Sequence, residues 1–193
     1  MEVSVTKLEL MSKEEFEIYK KKMYEEYAKV LAENLLIPYE EALARAEDQI
    51  DTIWNEDIKK GKNCGYNVIT GNNEHVGRIW VFVNYSSKKA FIYDIRIFPQ
   101  YQKKGLAKSA IKELEETLKK ENVKSLELNV FGNNKVAYNL YKNLGFTETY
   151  INLMKGFQKQ RVVTLPKFLK FLETLFLKSG YRIVAIEMRK KIK

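Results

Sequence analysis

The chain has 193 residues, 45% hydrophobic and 31% charged, with a formal net charge of +9. That allows one α/β domain with a sizeable core in an ordinary globular balance, and no apolar run approaches the length of a membrane span. The single cysteine, Cys64, excludes an internal disulfide and, with a single histidine, His75, leaves little for a transition-metal site. The opening MEVSVTKLELMSKEE lacks the basic start and apolar stretch of a secretion signal, so a metal-independent cytoplasmic protein is expected.

Val3–Met11 alternates Val3, Val5 and Leu8 with polar neighbours and predicts a first strand. Ser12-Lys13-Glu14-Glu15 has the form of a capping box and predicts a helix to about Leu35. Pro38, tolerated in a first turn, opens a second helix from Tyr39 to about Lys60, with Gly61 and Gly65 punctuating its end. Strands follow at Tyr66–Thr70, Val76–Tyr85 and Ala90–Phe98, joined by Gly71-Asn72-Asn73 and Ser86-Ser87-Lys88, which have hairpin-turn chemistry. A helix from Gly105 to about Asn122 puts Leu106, Ala110, Ile111, Leu114 and Leu118 on one broad face. Ser125–Phe131 predicts a strand, Asn134–Leu144 a helix stopped by Gly145, and Phe146–Lys155 a returning strand. The order implies an α/β (α+β) fold, a mixed central sheet with helices on both faces.

Residues 156–193 hold ten basic residues against two acidic ones and so carry +8 of the net charge, leaving the rest nearly neutral. Within them Leu165, Phe168, Leu169, Leu172, Leu175 and Phe176 follow helical spacing, opened by Pro166 and stopped by Gly180, and Tyr181–Met188 predicts a strand. Two readings compete. The extension adds its strand to the sheet, within the chain or across a homodimer, or it is a basic arm for nucleic acid or an anionic membrane. The strand after the helix favours the first, because an unpaired apolar strand aggregates. The expected organisation is therefore a domain over residues 1–155 and a helix-strand extension over 156–193.

The chemistry concentrates where a strand ends and a helix begins, at Ile95-Arg96-Ile97-Phe98-Pro99-Gln100-Tyr101-Gln102-Lys103-Lys104-Gly105-Leu106-Ala107. The first backbone N–H groups of a helix lack intrahelical partners and its dipole favours an anion there. Lys103, Lys104 and Lys108 add positive charge, and Gly105 and Ala107 keep side chains out of the way. These residues suit a diphosphate, although a basic loop before a helix is as often a merely solvated one. The spacing is neither that of a nucleotide P-loop nor that of a dinucleotide fingerprint.

Gln102-x-x-Gly105-x-Ala107 resembles the coenzyme A motif of the GNAT superfamily of N-acetyltransferases, [QR]-x-x-G-x-[GA]. Asn134-x-x-Ala137-x-x-Leu140-Tyr141-x-x-x-Gly145-Phe146 resembles that family's second signature, in the expected order. The resemblance covers roughly residues 1–155. It implies acetyl-coenzyme A as co-substrate, held by Ile95, Arg96, Ile97, Gln102, Lys103, Lys104, Gly105, Leu106, Ala107, Lys108, Asn134, Ala137 and Tyr141, and an amine as acceptor. By helical spacing Asn134, Ala137 and Tyr141 share one face. The resemblance implies that Asn134 bonds the pantetheine arm, Ala137 leaves it room and Tyr141 protonates the leaving thiolate, while the backbone N–H of Ile97 steadies the oxyanion. A core role for the Tyr141 ring is the bland alternative.

The general base stays open. Asn129, two before Phe131, cannot serve, which leaves Asp94 and Glu127, an ordered water, or an amine arriving neutral. Asp94 shares a strand face with Arg96 and so has an ion-paired reading as well. In the family the first two helices border the acceptor cleft, so Tyr24, Tyr27 and Tyr39 could line it or simply pack. His75 reads as solvated and Trp80 as core. An acyl-coenzyme A sensor without turnover, or an adaptor docking polyanions through its tail, are the competing functions.

Overall fold

Ser12 caps the first helix as its sequence predicts. Its Oγ accepts the Glu15 N–H at 3.1 Å, and Glu15 Oε2 accepts the Ser12 N–H at 2.7 Å. The helix, α1, spans Lys13–Leu35 and closes on Leu36, which is left-handed at φ 55°. The structure is a computed structural model that describes residues 6–57, 61–155, 161–167, 173, 177 and 182–192. Contacts group it into two compact units, residues 1–126 with 191–193, and Glu127–Lys190.

In the first unit β1 (Thr6–Leu10), β2 (Lys62–Thr70), β3 (His75–Asn84) and β4 (Lys89–Ile97) form an antiparallel array in chain order. The helix α2 (Tyr39–Asp57) packs on α1. Phe16, Tyr19 and Met23 from α1 and Ile50 and Trp54 from α2 close over Trp80 and Tyr93 of the sheet. Full burial of such a side chain is worth roughly 1.5–3 kcal/mol, so this cluster anchors both helices. On β1 and β4 also packs α3 (Leu106–Lys120), whose Leu106, Ala110, Ile111, Leu114 and Leu118 are all buried. That is the face its spacing predicts.

Gly65 corrects the sequence reading. It does not end the second helix but lies inside β2, which begins four residues earlier than the expected Tyr66. A Cβ there would stand 2.7 Å from the Phe16 ring and 2.8 Å from the Met11 sulfur, so the glycine admits the start of α1 to the sheet. A second departure is a bulge in β4. Trp80 faces Asp94 while Val81 faces Ile92, leaving Tyr93 as the extra residue.

The second unit holds most of β5 (Ser125–Phe131), α4 (Lys135–Asn143), β6 (Thr147–Lys155), β7 (Arg161–Pro166) and nearly all of β8 (Arg182–Lys191), with its strands in the order β5-β8-β6-β7. Both β7 and β8 run antiparallel to β6. Of the strand expected at Tyr181–Met188, Tyr181 lies outside the described residues and the rest is paired within the chain, burying Val184, Ile186 and Met188. Leu165 and Pro166 close β7 instead of opening a helix, because the buried Leu165 sits opposite Ile151, which is buried too. Glu173 and Leu177 are helical; Phe168, Leu169, Leu172, Leu175, Phe176 and Gly180 lie outside the described residues, as do Val3, Val5 and Lys60.

Candidate active site

The candidate residues fall into two groups, one in each unit. In the first, β4 ends at Ile97 and a 3₁₀ turn, Pro99–Tyr101, leads into the loop. Gln102 folds back so that Nε2 donates to the Ile97 carbonyl oxygen at 2.9 Å. Lys103 and Gly105 are both left-handed, at φ 61° and 78°, which turns the chain sharply into α3. Gly105 is the N-cap and brings no side-chain acceptor. The helical ladder starts with the Ser109 N–H on the Gly105 carbonyl at 3.1 Å, so the N–H groups of Leu106, Ala107 and Lys108 precede it. Lys103, Lys104 and Lys108 are exposed, with Lys104 Nζ 5.6 Å from the centre of the Tyr101 ring. Free N–H groups, a helix dipole and three lysines without a carboxylate among them suit a diphosphate. The Arg96 guanidinium pairs with Glu26 of α1 at 3.0 Å.

In the second group Asn134 is the N-cap of α4. Its Oδ1 accepts the Ala137 N–H at 3.0 Å, so the cap occupies the amide oxygen and Nδ2 is the group left to donate. Ala137 is half-buried one turn on, and Tyr141 is 6% exposed, its ring centre 5.6 Å from that of Phe146. The neighbouring Tyr138 hydroxyl donates to Glu148, which also pairs with Lys167. Burial pushes the Glu148 carboxyl up, but the bonds from Lys167 and Tyr138 outweigh it and hold the group below its ordinary value.

The base candidates separate. Glu127 Oε1 lies 2.6 Å from Arg189 Nε. Asp94 is partly buried and takes the Tyr19 hydroxyl on Oδ2 at 2.5 Å. Burial raises its carboxyl above the usual range, against the Tyr19 bond and the Arg96 and Arg78 charges, which lower it. Around this pair Glu26 Oε2 holds both Arg78, at 2.6 Å, and Arg96, and the Arg78 guanidinium stacks 4.4 Å over the Tyr19 ring. Sequence reasoning missed Tyr19, Glu26 and Arg78. The usable signal was that Tyr19, Met23 and Glu26 share one face of α1 by spacing, which puts a phenol and a carboxylate beside a core methionine.

Tyr24 donates to Asp51 at 2.7 Å, Tyr27 to Gln49 at 2.9 Å, and Tyr39 is exposed. Trp80 is 2% exposed and donates to Asn63 at 2.8 Å. His75 is exposed, with Nε2 2.9 Å from the Gly77 carbonyl. Among the described residues no helix is long and apolar enough to cross a membrane.

The first unit carries the left-handed glycine cap before α3 and the bulged β4, the second the asparagine cap before α4, on a mixed α/β fold. Residues 20–146 match the model of the acetyltransferase (GNAT) family, and the chain belongs to that family. It is 27% identical over 150 residues to the N-acetyltransferase YdgE of Bacillus subtilis, covering 77% of this chain and 96% of that one. It is 36% identical over 63 residues to the ribosomal protein bS18-alanine N-acetyltransferase of Escherichia coli, covering 33% and 43%. Among solved structures, the acetyltransferase YycN of Bacillus subtilis superposes with a TM-score of 0.68 at 23% identity, covering 82% of this chain and 99% of that one. A spermidine N-acetyltransferase of Vibrio cholerae, in complex with coenzyme A and spermine, superposes with a TM-score of 0.60 at 16% identity, covering 97% and 96%. The chain is an acyltransferase.

Proposed function

We propose that the chain transfers the acetyl group of acetyl-coenzyme A directly to an amine, with Tyr141 as the general acid. The observation that carries this reading is the turn into α3: a left-handed Gly105 cap, the first-turn N–H groups of Leu106, Ala107 and Lys108, and three exposed lysines. Those residues would hold the diphosphate of the co-substrate, whose thioester supplies an activated acyl group. Gln102 fixes the loop to Ile97, and Asn134 would offer its Nδ2 to the pantetheine amides while its oxygen caps α4. The Ile97 backbone N–H is assigned to the oxyanion.

The amine nitrogen forms the new C–N bond, the C–S bond breaks, and the sulfur takes the phenolic proton of Tyr141. A phenolic hydroxyl is a group suited to general-acid work of this kind. No nucleophilic side chain is needed, and Cys64 is buried with its thiol pushed up by desolvation. Titration calorimetry tests the reading. Acetyl-coenzyme A should bind the wild type, and Gly105→Glu should nearly abolish binding in a protein that melts cooperatively. Equal affinity in the variant would overturn the assignment of the diphosphate to this loop.

A further inference from the structure

We propose that the cavity between the start of α1, the end of α2 and β2 binds a small neutral molecule, a flat apolar ring that carries a carbonyl-type oxygen. This site stands apart from the transferase reading, and neither depends on the other.

The cavity has a volume of about 860 Å³ and is lined by residues of the first unit alone. Small-molecule sites run to roughly 300–1,000 Å³, so it has room for a ring and its substituent. Leu10, Met11, Phe16 and Trp54 supply its apolar wall, and β2 closes it from Lys62 to Gly65. By alternation Asn63 and Gly65 share one face of β2, the face on which Phe16 of α1 approaches the strand.

Two donors line this space without an acceptor. Asn63 Oδ1 takes the Trp80 indole N–H at 2.8 Å, which fixes the way the amide points. That leaves Asn63 Nδ2 enclosed by protein with no partner. Trp54 packs against Phe16, Trp80 and the Lys20 ammonium, but its indole N–H has no acceptor among the described residues. An enclosed donor with no acceptor is destabilising, and a ligand oxygen in the cavity relieves that cost.

The charges around the cavity select a neutral occupant. Lys13 and Lys62 balance Glu14 and Glu17, and all four are exposed. A helix N-terminus ordinarily favours an anion, but that of α1 is closed by the Ser12–Glu15 box and carries Glu14 and Glu15 in its first turn. An anion there meets two carboxylates. A cation gains nothing from the two orphan groups, because both are donors.

The sheet keeps this site away from the loop before α3. Asn63 lies opposite Phe82, and Phe82 opposite Phe91, six positions before Ile97 at the end of β4. That length of strand spans about 15–20 Å.

The test is amide NMR of the full isotope-labelled chain titrated with benzamide, a neutral ring with a carbonyl oxygen. The chain has two tryptophans and so two indole N–H signals, which Trp54→Phe assigns. At millimolar benzamide the Trp54 indole signal should shift and saturate, while the backbone signals of Leu106, Ala107 and Lys108 stay in place. Toluene shares the ring and lacks the oxygen, and it should bind at least about fivefold more weakly. Asn63→Asp keeps the acceptor for Trp80 and removes the donor, so it should weaken benzamide by at least about the same factor. If Asn63→Asp fails to fold, the toluene comparison decides alone. A Trp54 signal that benzamide leaves unmoved, or that toluene saturates with equal affinity, overturns the proposal. So does a Trp54 signal that moves on diluting the protein alone, which would put a second copy of the chain in the cavity.

Discussion

Gln102 Nε2 donates to the carbonyl oxygen of Ile97 across 2.9 Å, tying the loop before α3 to the last residue of β4. The side chain of a motif residue thus shapes, from within the protein, the loop proposed to hold the diphosphate. Gln102→Leu keeps the volume and removes the donor. A hydrogen bond of this kind contributes about 0.5–1.5 kcal/mol to stability, so the variant should lose about that much unfolding free energy and bind acetyl-coenzyme A more weakly. Calorimetry checks this, and unchanged affinity would make the bond incidental.

Gly105 is left-handed at φ 78°, and a Cβ in that conformation costs about 1–2 kcal/mol. Gly105→Ala should therefore lower stability by that amount as well as weaken cofactor binding. Denaturant unfolding of the variant separates the two effects, since the stability loss should persist without cofactor.

Tyr141→Phe keeps the ring packed 5.6 Å from Phe146 and deletes the hydroxyl alone. Turnover should fall by roughly 10²–10⁴ with cofactor affinity nearly unchanged. Wild-type turnover would return Tyr141 to a packing residue.

The raised carboxyl of Asp94 has a consequence for stability. Its folded pKa lies above the unfolded value of about 3.9, so its contribution is fully present below that value and is lost as pH rises through the folded pKa. Asp94→Asn removes this loss. The difference in melting temperature, variant minus wild type, should grow more positive from pH 3.5 to pH 7.5. A difference that stays constant across that interval would contradict the direction of the shift.

β8 pairs with β6 along Thr147–Met154 and carries Met188, which is 0% exposed. Deleting residues 156–193 should lower thermal stability and solubility at every salt concentration, and Met188→Ala should cost about 2–5 kcal/mol. A truncated chain that melts like the full one and loses only salt-sensitive binding to polyanions would restore the docking-arm reading.

The parts of the fold legible in the sequence are those that local chemistry decides. The Ser12 box, the α3 stripe from Leu106 to Leu118 and β5 fall where periodicity and caps place them. Gly65 was misread because its reason is the approach of Phe16 and Met11 from another element, which no local pattern reports. β7 was masked by Leu165 and Pro166, which fit a helix start as well as a strand end, and its pairing with β6 decides the matter. At the site the loop and α4 motifs were legible as motifs. The roles of Gln102 and Asn134 as loop tie and helix cap, and the Tyr19–Asp94 bond spanning 75 positions, needed the packed structure.

Thiol release from acetyl-coenzyme A against a panel of alkylamines, polyamines and peptides with free N-termini tests the central claim most directly. The transferase reading predicts release that depends on the acceptor, matched mole for mole by acetylated amine, and largely lost in Tyr141→Phe. Tight binding of acetyl-coenzyme A with no acceptor-dependent release from any member of the panel would contradict it and favour a sensor of acyl-coenzyme A.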